Sequence, residues 1–160
     1  RTYNGYDING LGQLKDGRGN IAPVTIILPV LAMQAKIKGG DIVANFMEIL
    51  DTKIHEARDM LIERFEWICS QSAKFMYENN LMAGYVPEEG IRSALKHGTL
   101  VVGQLGLAET LQILINCDHT TKAGMELAKE IEQKFKTLCA QFKEEEHLNF
   151  GVYFTPEHKI

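Results

Sequence analysis

Two long stretches of the chain carry apolar residues at intervals of three and four. In the first, Ile42, Phe46, Ile49, Leu50, Ala57, Met60, Leu61, Phe65 and Ile68 mark one face of an amphipathic helix, with Asp41 as its N-cap. Glu48, Lys53, Glu56, Arg58 and Glu63 fall on the opposite face, which reads as solvated surface with His55 within it. In the second, Leu127, Ile131, Phe135, Leu138 and Phe142 mark another helix. Asp118, Thr120 and Thr121 offer caps for it, and Glu144, Glu145 and Glu146 form a solvated acidic end.

The shorter apolar runs follow a different pattern. Residues 21 to 28 are rich in β-branched side chains and read as a buried strand, a pattern that a short buried helix segment shares. Pro29 either ends that strand or opens a helix through Met33 to Ile37, stopped by Gly39-Gly40. Ser72 to Asn79 predicts a short helix, and residues 80 to 87 are irregular. Pro87-Glu88-Glu89 has the composition of a helix start, with that helix running to about Lys96. Thr99 to Val102 is a second apolar run, after which Gly103 and Gly106 space a turn and Ala108 to Ile115 is helical. Asn149 to Phe154 alternates as a strand, with Phe150, Val152 and Phe154 on one face and Thr155-Pro156 ending it. Residues 1 to 20 have loop composition.

Strands separated by long helices require crossover connections and a mostly parallel sheet. Three strands leave exposed edges, so the pattern fits a segment of a larger α/β barrel or sheet. The chain begins with Arg1, not Met, which leaves an internal fragment, a processed chain and a truncated product all open.

At 160 residues and 45% hydrophobic, the chain is one domain or part of one. Its net charge of -4 includes no basic block that suggests a nucleic-acid groove, and no run of about 18 apolar residues suggests a membrane span. No secretory signal is visible. Cys69, Cys117 and Cys139 are odd in number and widely spaced, without a CxxC pair. They indicate neither a zinc site nor a disulfide framework, and read as reduced thiols of a cytoplasmic protein. Cys69 and Cys139 sit at apolar helical positions, where cysteine packs as a small hydrophobe.

Two stretches are candidates for chemistry. Asp16-Gly17-Arg18-Gly19-Asn20 is a polar, glycine-spaced tip before a rigid strand, a good place for a site and equally a simple tight turn. His97 to Ile115 reads as strand, turn and helix, whose first amides could hold an anion. Gly103-Gln104-Leu105-Gly106 is not the dinucleotide fingerprint, however, and no P-loop lysine follows, so glycines for close packing explain it as well.

The stretches GRGNIAPVTIILP (17–29), RFEWICSQSAKFMYE (64–78), HGTLVVGQLGLAE (97–109) and LNFGVYFTPE (148–157) resemble, in family order, the anaerobic class III ribonucleoside-triphosphate reductases, which are glycyl-radical enzymes. The resemblance implies that the chain is a helix-rich fragment of a ten-stranded α/β barrel with a finger loop through its centre. It implies reduction of a ribonucleoside triphosphate to its deoxy form for DNA synthesis, with formate as reductant. It also implies a homodimeric parent enzyme with structural zinc and ATP or dNTP effectors. The parent's C-terminal glycyl radical would be installed by an iron–sulfur activase that uses S-adenosylmethionine, and would pass to a finger-loop cysteine that abstracts hydrogen from the ribose C3′.

Carried over residue by residue, the resemblance places the radical cysteine just before Arg1-Thr2, so Thr2 lies beside the substrate. Asn20, after Gly19, matches an asparagine placed beside the radical loop, where oxygen-dependent relatives have a redox cysteine. A carboxamide there can hydrogen-bond ribose or formate but cannot do thiol redox chemistry. Thr155 and Pro156 match a strand-end loop near the substrate phosphates, where hydroxyl and backbone N–H groups are suited to hold them. The radical cysteine, the glycyl-radical loop and the zinc cysteines do not match any residue of this chain, which by itself is expected to be inactive. The rivals are a pyruvate formate-lyase relative with the same barrel, and a non-catalytic truncated product that binds a partner through its apolar helix faces.

Overall fold

The computed structural model of the chain describes residues 19–71, 79, 85–96 and 98–154. Its elements are β1 (Asn20–Ile27), α1 (Leu28–Lys38), α2 (Ile42–Ser70), α3 (Ile91–Leu95), β2 (Thr99–Leu105), α4 (Leu107–Ile115), α5 (Lys122–Glu146) and β3 (Asn149–Phe154). The strands form one sheet in the order β1-β2-β3, and both pairs are parallel. The expected parallel sheet with helical crossovers is therefore present. The helix expected over Ser72 to Asn79 lies, but for Asn79, outside the described residues.

The helices cover one face of the sheet. Ala22 and Ile26 of β1, Leu100 and Val102 of β2 and Phe150 of β3 share a core with Phe46, Leu50, Ile54, Leu61 and Phe65 of α2 and with Ile131, Phe135 and Phe142 of α5. Residues two apart along a strand face the same side, so a single alternating set from each strand meets the helices. The central strand is buried from Thr99 to Gln104 on both faces of the sheet.

Local chemistry explains where the elements begin and end. Pro29 sits in the first turn of α1, where its missing N–H costs nothing, so it opens that helix. Gly39 and Gly40 both take positive φ (76° and 74°) and stop it. The Asp41 carboxylate accepts the Ala44 N–H at 3.1 Å and caps α2. The Thr121 hydroxyl accepts the Gly124 N–H at 3.1 Å and caps α5. Several side chains tie these long helices together, among them Arg58, whose guanidinium lies 3.6 Å from the Glu145 carboxylate. Lys134 Nζ lies 2.7 Å from an Asp51 carboxylate oxygen, and the Arg58 guanidinium stands 5.0 Å from the Phe142 ring centre. His55 donates from Nδ1 to the Asp51 carbonyl at 2.8 Å and meets the Phe142 ring edge-on, which is a packing role.

Four expectations change. Met60 is not on the buried stripe of α2: it is 47% exposed, and Ile54 fills the core instead. Met60 lines an open groove of about 330 Å³ with Val24, Val30, Gln34 and Lys53. Pro87-Glu88-Glu89 does not start α3. It forms a tight turn closed by a bridge between Val86 and Gly90, and Gly90, with φ 72°, delays the helix to Ile91. The Ser93 hydroxyl holds that turn by accepting the Val86 N–H at 2.7 Å and donating to the Gly90 carbonyl at 2.6 Å. Gly103 is a strand residue paired with Thr25 and Tyr153, so β2 runs on to Leu105 and the turn belongs to Gly106 alone, with φ 81°. Finally, Cys139 is buried as expected, whereas Cys69 is only half-buried at the end of α2.

The outer edge of β1 is partly blunted. Pro23 offers no N–H, and its carbonyl accepts a hydrogen bond from Arg64 Nη1 at 2.9 Å. Among the described residues, no helix is long and apolar enough to cross a membrane.

Candidate functional site

The start of β1 carries the candidate site. Gly19 and Asn20 are both exposed. The Gly19 carbonyl accepts the Thr99 N–H at 2.7 Å, which fixes the entry to the strand against β2. A Cβ on Gly19 would meet nothing within 4 Å, so crowding among the described residues does not demand glycine there.

The direction of Asn20 depends on a register shift. Asn20 pairs with Thr99, but Ala22 pairs with Leu100, so β1 holds one extra residue, Ile21. Such a bulge reverses the alternation of side chains on one side of it. Without it, Asn20 would share the helix-covered face with Ala22. With it, Asn20 shares the opposite face with Thr99, its register partner.

The row continues into β3. Thr99 pairs with Asn149, so Asn20, Thr99 and Asn149 stand side by side across the three strands on the face away from the helices. Thr99 and Asn149 are 3% and 1% exposed, while Asn20 is open. Farther along that face come Val101 on β2 and Gly151 and half-exposed Tyr153 on β3. The Thr99 methyl lies over Gly151, where a Cβ would come within 3.1 Å of it. The row holds two carboxamides and a hydroxyl, which donate and accept hydrogen bonds without changing charge near neutral pH. It is suited to binding a hydroxylated ligand and to orienting groups, not to proton transfer.

Of the residues singled out in the sequence, Asn20 and Gly19 are brought to this row, whereas Thr2, Thr155 and Pro156 lie outside the described residues. Thr99 and Asn149 were not singled out. Each reads from sequence only as the first residue of a strand, and the register that aligns them has no local signature. Phe154 ends β3 five residues beyond Asn149, roughly 17 Å along the strand.

The remaining chemistry is sparse. Among the described residues, no group of three or more His, Cys, Asp or Glu is arranged to hold a metal; Cys69 and Cys139 stand on different helices and Cys117 in the loop between α4 and α5. Burial pushes the Cys139 thiol up to about 11, and burial also raises Cys69, with nearby Arg92 opposing it. Both thiols are thereby held protonated and unreactive at neutral pH. The Gly103–Gly106 segment shows no anion-binding side chain, and Glu109 in the first turn of α4 opposes an anion there.

Comparison with known proteins gives a consistent picture. The family model described as anaerobic ribonucleoside-triphosphate reductase matches residues 2–159. The Escherichia coli K12 protein of that name is 28% identical over 156 residues, covering 92% of this chain and 21% of that protein. The Salmonella typhimurium LT2 protein matches to the same extent. The chain thus spans about a fifth of the length of these relatives. Among solved structures, an anaerobic ribonucleotide reductase superposes with a TM-score of 0.65 at 18% identity, over 85% of this chain and 21% of that one. The Thermotoga maritima enzyme described in complex with dATP and CTP superposes with a TM-score of 0.63 at 19% identity, over 89% and 22%.

Proposed function

Since the chain belongs to the anaerobic ribonucleoside-triphosphate reductase family, we propose that it forms part of the catalytic barrel of such an enzyme, an oxidoreductase that converts ribonucleoside triphosphates to deoxyribonucleoside triphosphates. Further strands outside these residues complete the ten-stranded barrel, with the face that bears Asn20 turned inward and the helices outside. The parent enzyme is cytoplasmic and homodimeric, and is activated by a radical S-adenosylmethionine protein. Its glycyl radical supplies the hydrogen abstraction that starts the reaction. Neither that glycine nor the zinc has a place on the residues described above, and these 160 residues alone do not turn over substrate.

The observation that carries this reading is the bulge that aims Asn20 at the face away from the helices, within the stretch 17–29 that resembles the family. The Asn20 carboxamide donates to and accepts from a ribose hydroxyl or formate, and so orients them without redox chemistry of its own. Formate as the reductant is consistent with an amide in place of a thiol. The Gly19 backbone adjoins Asn20, and Thr2, Thr155 and Pro156 are the further substrate contacts that the family resemblance implies. The neutral row behind Asn20 keeps its orientation independent of pH near neutrality.

The test is Asn20→Ala in the complete polypeptide that carries this segment, with deoxynucleotide formation followed by chromatography and radical content by electron paramagnetic resonance. Loss of product with the radical still formed is expected. Undiminished turnover refutes the role of Asn20, and deoxynucleotide made by the isolated 160 residues refutes their inactivity.

A further inference from the structure

The bulge in β1 removes regular pairing where it occurs, so something must hold it in place. The extra residue is Ile21, between Asn20 and Ala22. Its side chain enters a slot at Gly98. A Cβ on Gly98 would lie 2.4 Å from both Cγ1 and Cδ1 of Ile21, and 3.3 Å from the Leu95 carbonyl oxygen. No real Cβ approaches carbon that closely. The conflict reaches Cγ1, near the root of a β-branched side chain that has few χ1 alternatives, so a small swing of its tip cannot relieve it.

Neither wall of the slot is free to retreat. The Gly98 N–H donates to the Leu95 carbonyl at 2.9 Å, tying it to the end of α3. The next residue, Thr99, donates its N–H to the Gly19 carbonyl at 2.7 Å, on the far side of Asn20. Asn20 thus sits between a fixed Gly19 and an Ile21 locked against Gly98. Backbone conformation does not explain the glycine, because Gly98 is not among the glycines with positive φ. What the position requires is the missing side chain.

We propose that Gly98 is a positioning residue for Asn20: its bare Cα leaves the slot that Ile21 fills, and the filled slot holds the bulge that turns Asn20 to the face away from the helices. This rests on the reading of Asn20 given above.

The test uses the complete polypeptide and compares Gly98→Ala, Asn20→Ala and the double variant. Gly98→Ala is expected to lower kcat roughly 10- to 100-fold with KM for the nucleoside triphosphate within about threefold, the pattern of lost alignment rather than lost binding. In the Asn20→Ala background, Gly98→Ala costs nothing further. Adding Ile21→Ala to Gly98→Ala removes the clash and recovers activity. A Gly98→Ala enzyme as active as the parent overturns the proposal, as does an equal loss with and without Asn20, or a loss that Ile21→Ala fails to relieve. If Gly98→Ala does not fold, Ile21→Ala alone, which empties the slot, takes its place in the same comparison. It supports the proposal if its loss depends on Asn20 and overturns it otherwise. If Asn20→Ala is itself fully active, both the role of Asn20 and the proposal fall. An inactive Asn20→Ala with an unaffected Gly98→Ala overturns the positioning alone.

Discussion

Phe142 joins three elements, and its replacement separates the forces that hold them. The ring is fully buried on α5. It meets Phe150 of β3 edge-on at 5.6 Å and His55 of α2 edge-on at 5.3 Å, while Arg58 of α2 lies over it at 5.0 Å. Phe142→Leu keeps most of the volume but loses these ring contacts. Two edge-on pairs at about 0.5–1.5 kcal/mol each and a part-exposed cation–π contact at about 0.5–1 give a cost of roughly 1.5–4 kcal/mol. Phe142→Ala adds a cavity, and Phe→Ala substitutions in cores cost about 3–5 kcal/mol. Urea unfolding followed by helix circular dichroism measures both. With a slope of about 2 kcal/mol per molar, the midpoint falls by roughly 1–2 M for Leu and roughly 1.5–2.5 M for Ala. The ordering is the sharper test. If Leu costs as much as Ala, the ring contacts dominate over the volume. If Ala costs under about 1 kcal/mol, the site collapses without a cavity, and Phe142 is not the joint described here.

Three further outcomes can be checked by the same unfolding assay. A Cβ on Gly124 would lie 1.8 Å from the Asp118 carbonyl oxygen, a backbone atom, so Gly124→Ala must displace the turn before α5 and costs about 1–3 kcal/mol or more; an unchanged midpoint contradicts that packing. The Cys139 thiol ionises near 9.0 when exposed and at about 11 when folded, so the unfolded chain loses its proton first and stability falls as pH rises between those values, by roughly 2–3 kcal/mol in all; Cys139→Ala gives a flatter profile over that range, and parallel profiles refute the assignment. Gln104 is 2% exposed on the helix-covered face, and neither side-chain polar atom has a hydrogen-bond partner among the described residues, so Gln104→Met, which keeps the shape without the polar atoms, raises stability by about 1–3 kcal/mol; a fall shows that the amide is satisfied.

The long helices are legible in the sequence because their apolar spacing repeats over several turns, and Asp41 and Thr121 cap them as their side chains suggest. Met60 escapes that reading because it lies one position from Leu61, at the border of the stripe, where periodicity cannot tell core from groove. The strands are legible as apolar runs, and their parallel arrangement follows from the helices between them. Their register does not follow. Gly103 and Gly106 look alike in sequence, and only pairing with both neighbours identifies Gly103 as a strand residue. Pro87-Glu88-Glu89 fits a helix start or a turn equally well until Gly90 takes positive φ. Asn20 stands out through family resemblance. Its direction, its neighbours Thr99 and Asn149 and the slot at Gly98 all depend on residues about 80 to 130 positions away, which no local pattern reports.

The sheet also divides its work between two faces. The helix side carries the apolar set of Ala22, Ile26, Leu100, Val102 and Phe150, and most of the burial that stabilises the chain. The other side starts with Asn20, Thr99 and Asn149, polar groups whose burial costs stability unless they are satisfied. In a regular ladder, strict alternation would put Asn20 on the apolar side. The bulge therefore gives up regular pairing with β2 at the first residues of β1 to move one carboxamide across the sheet. From Ala22 to Ile27 the pairing with β2 is regular, so the apolar alternation that faces the helices is intact beyond the shift. In mid-strand the same shift would reverse the alternation inside the core. A residue that must depart from alternation therefore disturbs the fewest pairs at the start of a strand, and Asn20 lies there.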